Sequence, residues 1–261
     1  MQFSRAIVRP PGANFAAGLT SADEGAPDLP LALRQHRGYC EALRACGLDL
    51  TPLGADLSFP DGTFVEDAAV VTAKGAVITR PGAPSRQGEI DSVARSLRSL
   101  TPTMLRIDAP GTVDGGDVCD VDGHFLIGVS ARTNEAGARQ LRTHLGALGY
   151  QASVIDIRAS KTLLHLKTGM AYVGDGIWVL ASQIEKELKS LLNIPMPRVI
   201  SIPQQESYSA NCIRVNDAVL VPLGYAHLAA ELERCGLRPW PLDMSEYKKM
   251  DGGLSCLSLR F

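Results

Sequence analysis

Apolar residues in this chain fall into short runs that come in pairs, and each pair is followed by a polar loop and then a stretch with helical spacing. Residues 64–72 form the first run, a turn near Lys74-Gly75 follows, and residues 76–79 return. The loop Arg80-Pro81-Gly82-Ala83-Pro84-Ser85-Arg86 then leads to a predicted helix over 88–100. The sentence recurs with strands at 113–121 and 124–128 around Asp122-Gly123, a loop holding Ser130-Ala131-Arg132-Thr133, and a helix over 134–148. Asp-Gly between apolar runs is a strong hairpin signal, because both turn positions favour positive φ. A third copy spans strands 163–173 and 177–181 with a helix running to 192. A fourth spans 211–215 and 218–221 with a helix over 225–235.

The turns lie near 75, 123, 175 and 217, a spacing of about 40–50 residues that signals a repeat array or propeller. Helices alternate with hairpins, so the class is α/β and not an all-β propeller. One unit is left incomplete at each end. Residues 254–261 read as a strand without partner or helix, and residues 3–8 read as a strand followed by a helix over 29–46. Joining the two ends completes a fifth copy and removes exposed sheet edges. The fold expected is therefore a five-bladed α/β-propeller of pseudo-symmetric repeats around a central site, with N- and C-terminal strands sharing one blade and residues 1–261 forming one catalytic domain.

Composition adds exclusions. Hydrophobic residues make up 45% of 261 residues, which argues against disorder. A net charge of −2 gives no electrostatic reason to expect nucleic acid. No apolar run reaches the ~18 residues of a membrane span, and Arg5, Arg9 and Pro10 interrupt the start, so neither membrane nor secretion signal is expected. The six cysteines, at 40, 46, 119, 212, 235 and 256, lack zinc-type spacing. They read as reduced thiols of a cytoplasmic protein, and the first five as small buried hydrophobes.

The chemistry lies at the start of each copy, where a polar residue stands in place of an apolar one: Glu66 and Asp67, Asp114 and Asp117, His165, Asn211, and Cys256. Equivalent positions in a pseudo-symmetric ring converge on the axis. The expected site is a central pocket holding a thiol nucleophile (Cys256), an imidazole acid/base (His165) and several carboxylates. His36, His124, His144 and His227 lack that context and read as surface residues. The adjacent carboxylates Glu66 and Asp67 lead into an apolar run, where unpaired charge is costly. A planar cationic ligand offering several N–H donors would relieve it. Arg86 and Arg132, on equivalent loops, suggest a rim that clamps a carboxylate.

Phe64-Val65-Glu66-Asp67, Asp114-Gly115-Gly116-Asp117, Ser130-Ala131-Arg132-Thr133-Asn134, Leu164-His165-Leu166-Lys167, Ala210-Asn211-Cys212 and the Cys256 tail resemble, in order and over the whole chain, the dimethylarginine dimethylaminohydrolase family. That family lies in the amidinotransferase-like (pentein) superfamily, whose fold is a ring of five ββαβ units. The resemblance implies Cys256 as nucleophile, His165 as general acid/base and Asp114 as the carboxylate orienting His165. It places Asp61, Glu66 and Asp67 around a guanidinium, Arg86 and Arg132 on the substrate carboxylate, Leu19 on a mobile lid, and Phe64, Met250 and Ser255 along the pocket. The implied reaction turns methylated arginines into citrulline and an amine through a thiouronium intermediate, with no cofactor and no metal. The expected partner is a small guanidino amino acid, and a homodimer is the assembly to test. Alternatives on the same scaffold are an arginine deiminase-like or citrulline-hydrolysing enzyme, and, from another class, a non-catalytic ring-fold binding protein.

Overall fold

A computed structural model describes residues 2–160, 163–192 and 194–261. Among the described residues the chain forms five three-stranded sheets. The first holds Ala69–Thr72, Gly75–Ile78 and Met104–Arg106; the second Val118–Val121, His124–Val129 and Gln151–Asp156. The third holds Met170–Tyr172, Ile177–Ala181 and Arg198–Ile202; the fourth Ile213–Val215, Ala218–Pro222 and Arg238–Leu242. In every one the first two strands are antiparallel and the last two parallel. A parallel neighbour needs a crossover, and the helices Ile90–Leu97, Glu135–Ala147, Ser182–Leu192 and Ala226–Arg234 supply it.

The fifth sheet joins the two ends of the chain. Ser258–Arg260 pairs antiparallel with Arg5–Val8, Ile7 facing Leu259. After the helix Leu29–Ala45, Asp49–Pro52 pairs parallel with Arg5–Val8. The shared blade expected from the two orphan strands is therefore present, and the architecture is the five-unit propeller.

Local chemistry explains the boundaries. Asp28 caps the long helix by accepting the Leu31 N–H at 2.6 Å, with Pro30 in the first turn. Asn134 caps its helix through the Gly137 N–H at 2.8 Å. The hairpin turns place Asp122, Asp175 and Asn216 at φ of 51°, 55° and 53°, a region Asp and Asn tolerate better than bulkier residues.

Two expectations needed correction. The polar halves of the innermost runs are not strand. Val65–Ala68, Gly115–Asp117, Leu166–Thr168 and Ser255–Leu257 are single 3-10 turns that precede shortened strands, and Gln204–Ala210 is a longer one. Asp67 and Asp117 accept the Gly116 and Leu166 N–H groups of neighbouring turns, which competes with the sheet ladder. His36 is buried, 6% exposed, with Nδ1 3.6 Å from Cys40 Sγ. Burial pushes its pKa down to about 4, so it stays neutral.

Buried aliphatic side chains between sheets and helices form the core, with Trp178, Leu126, Ile127 and Leu141 almost fully enclosed. The inner strands of successive units pack around the centre. Cys40, Cys119 and Cys212 are buried, Cys46, Cys235 and Cys256 half-buried, and all six are free thiols. No helix among the described residues is long and apolar enough to cross a membrane.

Candidate active site

The polar turns meet at the ring centre. The turn of the first unit packs against those of the second and fifth, and that of the third against the second and fourth. Gly116 permits this approach, since a Cβ there would stand 2.9 Å from the His165 ring. Carboxylates stitch the turns together: Asp67 Oδ1 accepts the Gly116 N–H at 2.8 Å and Asp117 Oδ1 accepts the Leu166 N–H at 3.0 Å.

Cys256 and His165 open on one cavity. Leu19, Asp61, Phe64, Asp67, Arg86, Arg132 and Met250 also line it. Nine residues singled out from the sequence thus share one space.

Asp114 lies behind the cavity, fully buried. Its Oδ2 is 3.0 Å from His165 Nε2, and its Oδ1 accepts the Gly82 N–H at 2.8 Å. Burial disfavours charge on His165. The hydrogen bond to Asp114 and the nearby charges of Asp67 and Asp117 outweigh it and raise its pKa to about 9. The imidazole is therefore protonated at neutral pH and can give a proton.

The Cys256 thiol is pushed up to about 12, first by burial and then by Glu66 and Asp67, against the Gly253 N–H, which donates to Sγ at 3.4 Å. Without a cation in the cavity the thiol keeps its proton. Burial likewise raises the Asp61 carboxyl, which Arg86, the Leu19 N–H and Arg132 oppose. Leu19 N–H contacts both Asp61 oxygens at 3.1 Å. Phe64 packs on Phe15 and Tyr247, with ring centroids 6.1 and 6.3 Å away, which fixes one wall.

Three sequence readings change. Glu66 and Ser255 line not this cavity but a second one on which Cys256 and His165 also open, and Ser255 Oγ donates to Glu66 Oε2 at 2.9 Å. Glu66 and Asp67 do not wait unpaired for a ligand. Lys167 Nζ meets Glu66 at 2.5 Å, and Arg86 Nη1 meets Asp67 at 2.6 Å. Burial alone would raise Asp67, but Arg86 and His165 hold its pKa at about 2. Finally, Arg86 and Arg132 are not an equivalent pair. Arg86 is buried and also bound to Glu89 at 2.8 Å, so most of its donors are engaged. The Arg132 side chain is 21% exposed, with a loose 3.8 Å contact to Asp114 as its ion pair among the described residues.

Asp67, Asp114 and His165 offer donor atoms within 4.8 Å of one another. The Arg86 guanidinium and the backbone N–H groups of Gly82 and Gly116 already engage those oxygens, so the donor set is poorly suited to a cation. Sequence reasoning placed Asp117 and Asn211 at the axis without a task of their own, and gave none to Lys167 or Asp251. The first three stood in the polar motifs, whereas nothing in the pattern marked Asp251, whose Oδ2 accepts the Ser21 N–H at 2.6 Å.

Comparison with known proteins agrees with this architecture. Residues 58–235 match the family model described as arginine deiminase. The chain is 44% identical over 260 residues to an N(G),N(G)-dimethylarginine dimethylaminohydrolase of Pseudomonas aeruginosa, covering 99% of this chain and 100% of the relative. It is 35% identical to the enzyme of that name from Streptomyces coelicolor, covering 100% and 98%. A solved structure of a mutant Pseudomonas aeruginosa DDAH complexed with citrulline superposes with a TM-score of 0.93 at 42% identity, covering both chains fully. The chain matches the arginine deiminase family model and belongs to the dimethylarginine dimethylaminohydrolase family.

Proposed function

We propose that this chain hydrolyses N-omega-methylated arginines to citrulline and dimethylamine or methylamine by covalent cysteine catalysis. The observation that carries the reading is one cavity shared by a thiol, a protonated imidazole and the carboxylates Asp61 and Asp67. Citrulline, bound in the Pseudomonas relative, is the product expected here.

The chemistry follows from the charges. A guanidinium carbon is deactivated by resonance and needs a strong nucleophile, which a thiolate is. Burial, together with Glu66 and Asp67, holds the free thiol protonated; an entering guanidinium offsets the carboxylates' field, and the thiol gives its proton to solvent to become thiolate. Cys256 Sγ then bonds to the guanidinium carbon. His165 protonates the methylated nitrogen, the C–N bond breaks, and a cationic thiouronium remains on Sγ. Neutral His165 next takes one proton from water as its oxygen attacks the same carbon; collapse expels the thiolate, and the remaining hydroxyl proton passes through solvent to the freed amine. The net reaction turns a guanidinium and one water into citrulline and an alkylammonium ion, so charge is conserved. Asp114 keeps the imidazole aimed throughout. Arg132 supplies a guanidinium for the substrate carboxylate, and Leu19 covers the bound side chain. A homodimer and a cytoplasmic location belong to this reading and are checked by light scattering and cell fractionation.

The test is incubation with asymmetric dimethylarginine, monomethylarginine, arginine and citrulline, with citrulline, ornithine, ammonia and methylamines quantified. Release of dimethylamine with stoichiometric citrulline, abolished in Cys256→Ser, is expected. Ammonia from arginine with no methylamine from the methylated substrates would assign the arginine deiminase-like reaction instead.

A further inference from the structure

We propose that Asn211 is a positioning residue for the nucleophile: it holds the turn carrying Cys256 in register with the turn carrying His165, without adding a negative charge beside the thiol. The inference rests on Cys256 being the nucleophile.

Asn211 closes the 3-10 helix Gln204–Ala210 of the fourth unit. Its Oδ1 accepts the Ser255 N–H at 3.0 Å, and its Nδ2 donates to Ser255 Oγ at 3.1 Å and to the Lys167 carbonyl at 3.2 Å. Ser255 immediately precedes Cys256, and Lys167 follows His165 by two residues. One amide therefore ties the two reacting groups' backbones to each other. The orientation of the amide is dictated by its partners, because an N–H can only donate and a carbonyl can only accept. A Cβ on Gly253 would stand 2.5 Å from Asn211 Oδ1, so the loop entering the nucleophile lies directly on this amide.

Two other units use a carboxylate in the same way. Asp67 reaches Gly116 N–H and Asp117 reaches Leu166 N–H, each spanning from its own turn to the next around the ring. Their second oxygens meet donors, Arg86 Nη1 at 2.6 Å and Ser130 Oγ at 2.6 Å. In the fourth unit the second atom faces the Lys167 carbonyl, so it must donate, and only an amide fits. An aspartate would set two acceptors against each other. It would also bring another negative charge towards a thiol already raised by burial and then by Glu66 and Asp67. The charged and titratable groups near Cys256 are Asp61, Glu66, Asp67 and Arg86 of the first unit, Arg132 of the second, His165 and Lys167 of the third, Tyr208 of the fourth, and Asp251 on the approach.

Asn211→Asp and Asn211→Ala test the proposal, with two readouts expressed per alkylatable Cys256 so that unfolded material does not count. The first is the pH dependence of iodoacetamide alkylation at Cys256, mapped by peptide mass spectrometry. The second is kcat and KM for dimethylarginine. Near-isosteric Asn211→Asp is expected to shift the alkylation midpoint upward by at least about half a pH unit. Both variants are expected to lower kcat by about tenfold or more, with KM changed by less than about threefold. An unmoved alkylation midpoint in Asn211→Asp together with near-normal kcat in both variants would overturn it, as would equal losses in kcat and 1/KM. The alkylation arm needs no substrate, so inactivity of the unmodified chain on dimethylarginine would sink the substrate reading while leaving the Asn211 readout intact.

Discussion

His165 Nε2 and Asp114 Oδ2 lie 3.0 Å apart, joining two turns from neighbouring units and residues 51 positions apart in the chain. The contact holds the imidazole charged against the cost of burying it, and it gives that charge a pH signature. The folded pKa, about 9, exceeds the ordinary value of 6.5, so protonated His165 favours the folded state. That contribution is complete below about pH 6.5 and is lost as pH rises through 9. Urea titrations of the wild type should therefore show falling stability across this window, and Asp114→Asn should flatten the fall. An Asp114→Asn protein with an unchanged pH slope would refute the assignment. The same variant should lose about 10²–10⁴-fold in kcat, the usual worth of a general acid/base.

The arginines should separate stability from binding. Arg86 is buried between Asp67 and Glu89, and removing one partner of a buried pair costs roughly 3–5 kcal/mol. Arg86→Ala should lower the thermal midpoint sharply. Arg132, more exposed and loosely held, should tolerate Ala within about 1 kcal/mol while KM rises about tenfold or more through loss of a charged hydrogen bond. Calorimetry with substrate saturation curves on both variants checks this. Equal destabilisation by the two substitutions would refute it.

The Leu19 segment is latched from below the nucleophile. Asp251 Oδ2 accepts the Ser21 N–H at 2.6 Å and the Ser21 hydroxyl at 2.9 Å, while Thr20 Oγ1 donates to the Lys249 carbonyl at 3.0 Å. The same segment covers Asp61 through the Leu19 N–H. Each such bond is worth about 0.5–1.5 kcal/mol net, so Asp251→Ala, which loses both Ser21 bonds, should raise KM by about 5–150-fold with kcat little changed. A stopped-flow measurement showing unaltered binding and release would count against the latch.

Much of this molecule was legible in its sequence because the determining interactions are local. Paired apolar runs, left-handed Asp and Asn at hairpin turns, and caps such as Asn134 depend on neighbours within a few residues. The outer strands, such as Met104–Arg106 and Arg238–Leu242, were harder to read. They are half-exposed edges, and the latter carries Pro239 and Pro241, which edge strands tolerate. Their apolar alternation is correspondingly weak.

The repeat register alone was enough to bring Cys256, His165 and the carboxylates to one axis, because equivalent positions in a closed ring must converge. It could not say which charge each carboxylate would meet. Arg86 and Arg132 occupy matching loops, yet one is locked between Asp67 and Glu89 and the other is left to the cavity. Glu66 and Asp67 are adjacent, yet one turns back to Lys167 and Ser255 and the other forward to Arg86. Pairing energies depend on separations of a few ångströms and on exclusion of water, and only the closed ring sets those distances between residues far apart in the chain.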